Sequence, residues 1–433
     1  MSPTRDMFRA IAAIALPAII ANITTPLMSL MDVAITGHLG GADYIAAIAI
    51  GGTLFNVVYW LMGFLRMGTS GLTAQAYGAT DNNESQAILM RSLIVSVAIG
   101  VAIIALQKPL CDIGLAFMDA DGETREYARR YFMICTWGAP AVLATYSLTG
   151  WFLGMQNARI PMIISIAVNL INVGVSLLLT AVFHMQIAGV AAGTLTAQWA
   201  GAIIGLWIWR CRFKSEYSWM TVQVTGKELR RFFSVNRDIF LRTACLVAVT
   251  LWFTRAGSMQ GPVILAANTL LMQLFTLFSY FMDGFAYSGE ALCGRFRGAG
   301  DNDRLRLCIR SLVALGVVFS LIFTLVSAAL GRDGLLLLTS DVNVADVAMR
   351  YFPAVLAVPL CGFMAFTYDG ICIGLTRTRA MLISMACATF IFFAAWFTLT
   401  PVWGNSGLWS AFLLYLAIRS SVLPLLCHRK WSA

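Results

Sequence analysis

Residues 11–31 read IAAIALPAIIANITTPLMSLM, a run with no Asp, Glu, Lys or Arg. A helix rising 1.5 Å per residue needs about 20 residues to cross the roughly 30 Å of bilayer hydrocarbon, so this stretch is long and apolar enough to span a membrane. The same holds for Met162–Phe183 and Leu312–Leu330. Outward from these runs the composition agrees: 59% of the 433 residues are hydrophobic and only 12% charged. A soluble domain carries about 25% charged residues, so this chain lacks the polar surface to dissolve. The expected fold is an all-α polytopic membrane protein. The first run is long, contains Pro17 and Pro26 and leads straight into further spans, which reads as a retained span, not a cleaved signal.

The apolar runs place helices near 7–36, 44–77, 86–106, 127–150, 160–183 and 187–210, then 239–259, 264–296, 306–330, 347–370, 378–400 and 406–427. Twelve spans put both termini on one side. With the N-terminus inside, inner segments collect about 21 Lys and Arg against about 7 outside, the bias that sets topology. Arg242 counts among the inner charges, and Arg66 and Arg419 lie near enough to the inner edge to snorkel. The net charge of +9 is thus a topology signal helped by anionic lipid, and nucleic acid is not an expected partner. The ten cysteines contain no C-x-x-C and the three histidines are far apart, so neither a disulfide framework nor a metal site is expected. There is no phosphate-binding G-x-x-x-x-G-K-[ST] loop, no G-x-S-x-G and no H-E-x-x-H, so energy coupling must come from ion gradients and an enzyme is not expected.

The two halves repeat at an offset of about 220 residues. Gly78-Ala79-Thr80-Asp81-Asn82 recurs as Gly298-Ala299-Gly300-Asp301-Asn302, Tyr131-Phe132 as Tyr351-Phe352, and Gly150, Gly154 and Arg159 as Gly370, Gly374 and Arg379. A six-span repeat keeps its orientation, which gives parallel halves: an N-lobe over 1–210, a cytoplasmic linker over 211–238 and a C-lobe over 239–433. Such repeats suit alternating access by a secondary transporter; duplication for stability alone is the plainer reading.

Polar groups inside spans carry the functional candidates, because a carboxylate in hydrocarbon costs on the order of 2.5–3.5 kcal/mol. Asp32 ends the first apolar run and is read as a protonatable group facing a cavity, against the plainer reading of an interfacial cap. Asn172 and Ser176 share one face of the fifth span with Asn169, and Thr194 and Thr196 lie in the sixth; with Asp32 they make a candidate N-lobe cluster, or merely polar glue between helices. Asp283, Glu290 and Asp369 are candidate C-lobe carboxylates that equally suit structural pairing with arginines. Pro17 and Pro26 break the backbone ladder of the first helix and mark a hinge or a static kink. The 20 Met, 27 Phe and 12 Trp suit a pliable apolar cavity or lipid contact.

Met31-Asp32-Val33-Ala34-Ile35-Thr36-Gly37-His38-Leu39-Gly40 and Gly71-Leu72-Thr73-Ala74-Gln75-Ala76-Tyr77-Gly78-Ala79 resemble motifs of the multidrug and toxic compound extrusion (MATE) family. Asn236-Arg237-Asp238-Ile239, Asp283-Gly284-Phe285-Ala286-Tyr287 and Asp369-Gly370-Ile371-Cys372-Ile373-Gly374 resemble its DinF-like, DNA-damage-inducible branch. The resemblance implies a V-shaped pair of six-helix bundles in a bacterial inner membrane, both termini cytoplasmic, acting as a monomer. It implies export of lipophilic cations or amphipathic drugs against inward H⁺ or Na⁺ flow, with no other cofactor. By the same resemblance Asp32 binds proton or drug, Pro17 matches the bending proline, and Asn172 and Thr194 match polar partners of a cation site. The family's Asp four residues after that Asn is Ser176 here, which favours H⁺ over Na⁺. A lipid-linked or glycolipid flippase of the wider superfamily is the alternative, and would want Arg66, Arg255 and Arg419 in a cavity. At the offset of about 220, the counterpart of Asp32 is Trp252, so the halves are expected to be functionally unequal.

Overall fold

In a computed structural model, residues 3–37, 42–118, 121–213, 226–339 and 341–428 are described. The motif residues His38, Leu39 and Gly40, linker residues 214–225 and the basic Arg429 and Lys430 lie outside them. The elements are α1 (Pro3–Gly37), α2 (Ala42–Leu61), α3 (Phe64–Gly78), α4 (Asn82–Ala105), α5 (Gln107–Phe117), α6 (Gly122–Thr136), α7 (Ala139–Gly154), α8 (Arg159–Leu177) and α9 (Gln186–Arg212). They continue with α10 (Gly226–Ser258), α11 (Pro262–Gly298), α12 (Asn302–Leu336), α13 (Val342–Gly374), α14 (Thr378–Trp403) and α15 (Asn405–His428). Among the described residues there is no strand, and 11 helices are long and apolar enough to cross a membrane, or 12 if one bent pair is a single span. The chain is an all-α, multi-pass membrane protein.

That bent pair is the fourth span, expected as one helix over 127–150. It divides into α6 and α7, which meet at 54°. Pro140, two residues into α7, has no N–H to bond back to Thr136, so the ladder fails there. The Pro140 backbone also packs where a Cβ on Gly100 of α4 would stand. The second span is likewise interrupted at Met62-Gly63, between α2 and α3. The stretch 107–126, between the expected spans 86–106 and 127–150, carries α5. Cys111 and Leu115, four apart on one face, are buried against Ala47, Ile48 and Ala128.

The helices group into two compact units, Leu16–Phe233 and Met1–Ala15 with Ser234–Ala433. The first fifteen residues thus belong with the second half of the chain. Ser288 on α11 donates a hydrogen bond to the Ile11 carbonyl at 3.0 Å. The unit boundary falls two residues before Pro17, within α1.

Each unit repeats the other's packing in the register read from sequence. A Cβ at Gly150 would collide with the Arg66 carbonyl oxygen, and one at Gly370 with that of Ala286. One turn on, a Cβ at Gly154 would stand 2.8 Å from the Ser70 oxygen and one at Gly374 2.7 Å from the Glu290 oxygen. These glycines let α7 seat on α3 and α13 on α11 at backbone contact, the small-residue packing that holds helices together in lipid. The turns match too. Asp81 caps α4 by accepting from the Glu84 N–H at 2.9 Å, and Asp301 caps α12 by accepting from the Arg304 N–H at 2.9 Å. The residue before each cap, Thr80 or Gly300, has positive φ (56° and 71°). Threonine there is strained, since its Cβ crowds the backbone in this region, and glycine is not.

Candidate functional site

In the unit Leu16–Phe233 the polar residues of α8 form a stripe at helical spacing: Ser165, Asn169, Asn172 and Ser176. The lower two hold α1. Asn169 Nδ2 donates to the Thr24 carbonyl at 2.8 Å, and the Ser165 hydroxyl lies 3.0 Å from that of Thr24. These bonds grip α1 between its prolines, where Pro26 cannot donate to the Asn22 carbonyl. The helix runs on through both prolines to Gly37, and of Pro26 only the backbone is described.

One turn further along the stripe, Asn172 is fully buried and reaches the Asp32 carboxyl, itself only 5% exposed. Asn172 Nδ2 also donates to Thr194 Oγ1 at 3.0 Å, and that hydroxyl donates to the Val190 carbonyl at 3.1 Å. Tyr131 of α6 joins through hydrogen bonds to Thr194 and Cys135, and the Cys135 thiol points to the Ala191 carbonyl at 3.7 Å. The network thus draws on α1, α6, α8 and α9, and among the described residues it contains one carboxyl and no lysine or arginine. Chemically it can hold a proton on the acid or a cation among its oxygens. Asn172 Oδ1 is buried without a hydrogen-bond partner and supports the second use.

The structure therefore brings together Asp32, Asn172 and Thr194. Ser176 lies one turn beyond, fully buried, and its hydroxyl makes no hydrogen bond. It faces Gly193, where a Cβ would stand 2.8 Å from the Ser176 nitrogen. Thr196 turns away, exposed and bonded to its own helix at Ala192. Tyr131 is the member that sequence reading missed. It was noted only as half of the repeated Tyr-Phe pair, and nothing local marks its ring as reaching α9.

The three carboxylates Asp283, Glu290 and Asp369 belong to the other unit. Asp283 is half-buried on α11, and Glu290 is 1% exposed on the same helix. Asp369 on α13 is gripped by Arg242 of α10 and Arg419 of α15, both guanidiniums meeting the same carboxylate oxygen. Two expectations are corrected here. Arg419 does not snorkel to the membrane edge but is 3% exposed, with the Phe366 ring 5.5 Å from its guanidinium carbon. Arg242, counted with the charges of the inner segments, is instead 5% exposed within α10. A buried guanidinium requires a countercharge, and Asp369 supplies it to both. One turn before Arg242, Asp238 accepts from the Thr378 hydroxyl at 3.3 Å, which adds α14 to the brace.

The profile of the MatE family matches residues 17–178 and 239–395. DNA damage-inducible protein F of Escherichia coli (strain K12) is 35% identical over 429 residues, covering 98% of this chain and 92% of that protein. The multidrug export protein MepA of Staphylococcus aureus is 20% identical, covering 93% of this chain and 90% of its own length. Among solved structures, an outward-facing multidrug resistance MATE transporter of the MOP superfamily superposes with a TM-score of 0.89 at 17% identity, covering 98% of this chain and 96% of that one.

Proposed function

This chain belongs to the MatE family of multidrug and toxin extrusion transporters, and from that premise we propose that it is a proton-coupled antiporter exporting amphipathic cations. Families of this kind transport and do not catalyse covalent chemistry, so the chain is a transporter and not an enzyme. The single observation that carries the coupling is the Asp32 network. A buried acid bonded to Asn172 has two uses that exclude each other. It holds a proton, or it holds the positive charge of a substrate. Exchange of one for the other is antiport, and binding of either shifts the population toward the conformation that binds it better. The protein acts as a monomer in the bacterial inner membrane with both termini in the cytoplasm.

Na⁺ coupling is the second reading, favoured by the unpartnered oxygen of Asn172 beside the same acid and that of Ser176 one turn along α8. The flippase reading loses one of its three arginines, since Arg419 is engaged with Asp369. Efflux of a fluorescent lipophilic cation from proteoliposomes separates these. Transport driven by an imposed ΔpH, absent in Asp32→Asn and indifferent to Na⁺, is the expected result. Transport on a Na⁺ gradient alone would transfer the network to Na⁺, and no transport under either gradient would remove the antiporter reading.

A further inference from the structure

The counterpart of Asp32 in the repeat, Trp252 on α10, sits in surroundings of different chemistry. Its ring meets Trp396 edge-on, centroids 5.0 Å apart at 88°, and Phe393 at 5.6 Å and 65°. The Arg255 guanidinium carbon lies 5.7 Å from the Trp252 ring centroid, within cation–π range. No carboxylate pairs with Arg255 among the described residues. Phe393 and Trp396 share one face of α14 with Thr389 and Thr400, at spacings that bring residues into line along a helix.

Around these rings, the indole nitrogens of Trp252 and Trp396 and the hydroxyls of Thr389 and Thr400 are buried with no hydrogen-bond partner. Buried polar groups are nearly always satisfied in folded proteins, and an indole N–H can only donate. The neighbouring Asn268, Asn405 and Trp409 show the contrast. There the two amides exchange hydrogen bonds at 2.8 Å and the Trp409 indole donates to Asn268 at 2.9 Å. That cluster is closed and structural; the Trp252–Trp396 pair is not.

We propose that Trp252, Arg255, Phe393 and Trp396, with the two threonines, form a second ligand site for a planar aromatic carboxylate. This rests on the reading of the chain as an exporter of amphipathic compounds and extends its substrate class to anions and zwitterions. The aromatic body stacks among the three rings, which offer both faces and edges. The carboxylate accepts from the indole N–H groups and gains charge from Arg255, a charge-assisted contact stronger than a neutral one. Arg255 disfavours cations here, as Asp32 favours them in the other unit. The two halves, alike in fold, thereby select ligands of opposite charge.

The test is equilibrium binding of radiolabelled 2-naphthoate, and separately of 2-naphthylmethylammonium, to the full chain in nanodiscs. Trp252→Phe and Trp396→Phe keep an aromatic ring but remove the N–H donor together with part of the stacking surface. Each is expected to weaken naphthoate about threefold to tenfold, and Arg255→Gln at least tenfold, with the ammonium probe unaffected. Asp32→Asn should weaken the ammonium probe and leave naphthoate binding unchanged. Photolabelling of the unmodified protein with a benzophenone carboxylate should mark α10 and α14, a result that needs no variant to fold. Absence of saturable naphthoate binding, equal binding in all three variants, or labelling elsewhere would overturn the proposal. Loss of ΔpH-driven cation efflux would instead count against the antiporter reading and leave the naphthoate result standing.

Discussion

Substituting Asp369 by Asn removes one negative charge from between two buried positive ones while keeping the side-chain volume. The side chains of Arg242 and Arg419 are 6% and 4% exposed, so neither can recover its hydration by turning outward without repacking α10 or α15. Removing one partner of a buried ion pair costs about 3–5 kcal/mol, because the other charge is left uncompensated. Arg242→Met is a different perturbation. It leaves Asp369 paired with Arg419, one negative against one positive, and should cost less than about 2 kcal/mol. For a unit of this size, about 2–4 °C of melting temperature accompanies each kcal/mol. Asp369→Asn should therefore melt about 6–20 °C below wild type in detergent, followed by loss of the monodisperse peak on size exclusion. The triple change Arg242→Met, Asp369→Leu, Arg419→Met should recover most of that loss. An Asp369→Asn protein as stable as Arg242→Met would refute the assignment of Asp369 as shared countercharge.

Other substitutions test the repeat and its packing. Gly370→Ala and Gly150→Ala each push a methyl into a backbone carbonyl, of Ala286 and Arg66, which cannot rotate aside; each should destabilise by about 3 kcal/mol in a thermal melt. At the equivalent turns, Thr80→Gly should raise stability and Gly300→Thr lower it, each by about 1 kcal/mol in a thermal melt, because glycine adopts these positive φ values without strain. Asn268→Ala leaves the Asn405 amide and the Trp409 indole without a buried partner and should cost about 2 kcal/mol or more, whereas Asn268→Ala with Asn405→Ala should cost less than the sum of the single changes.

Helix content, span positions and the repeat register were legible because each rests on local composition. Charge-free runs of membrane length allow little besides a span, and recurrent glycines mark the same backbone contact twice. The breaks were less legible. Pro140 sits in an otherwise unbroken apolar run, and only its position against Gly100 turns a tolerated proline into a 54° bend. In the site, Asp32, Asn172 and Thr194 could be named because each is a polar group in apolar company. Tyr131 could not, since a tyrosine near a membrane edge is ordinary and its partner Thr194 lies 63 residues away in the chain. The arginines were misjudged for a related reason. Sequence position alone cannot tell a side chain reaching for water from one turned toward Asp369.

The seam inside α1 bears on how the molecule is made. Residues Met1–Ala15 are made before Leu16–Phe233, yet they belong to a unit otherwise built from Ser234–Ala433. The unit Leu16–Phe233 is continuous in sequence and can assemble as soon as its last helix emerges, in the usual order of synthesis. The leading segment must then wait, inserted but without its neighbours, until Ser288 arrives to bond Ile11. A chain stopped after Phe233 would carry a finished unit with an unmatched leading segment, and one started at Leu16 would leave the later unit without its opening helix segment. The later unit is thereby whole only once that leading segment meets a helix whose Ser288 lies 277 residues further along the chain.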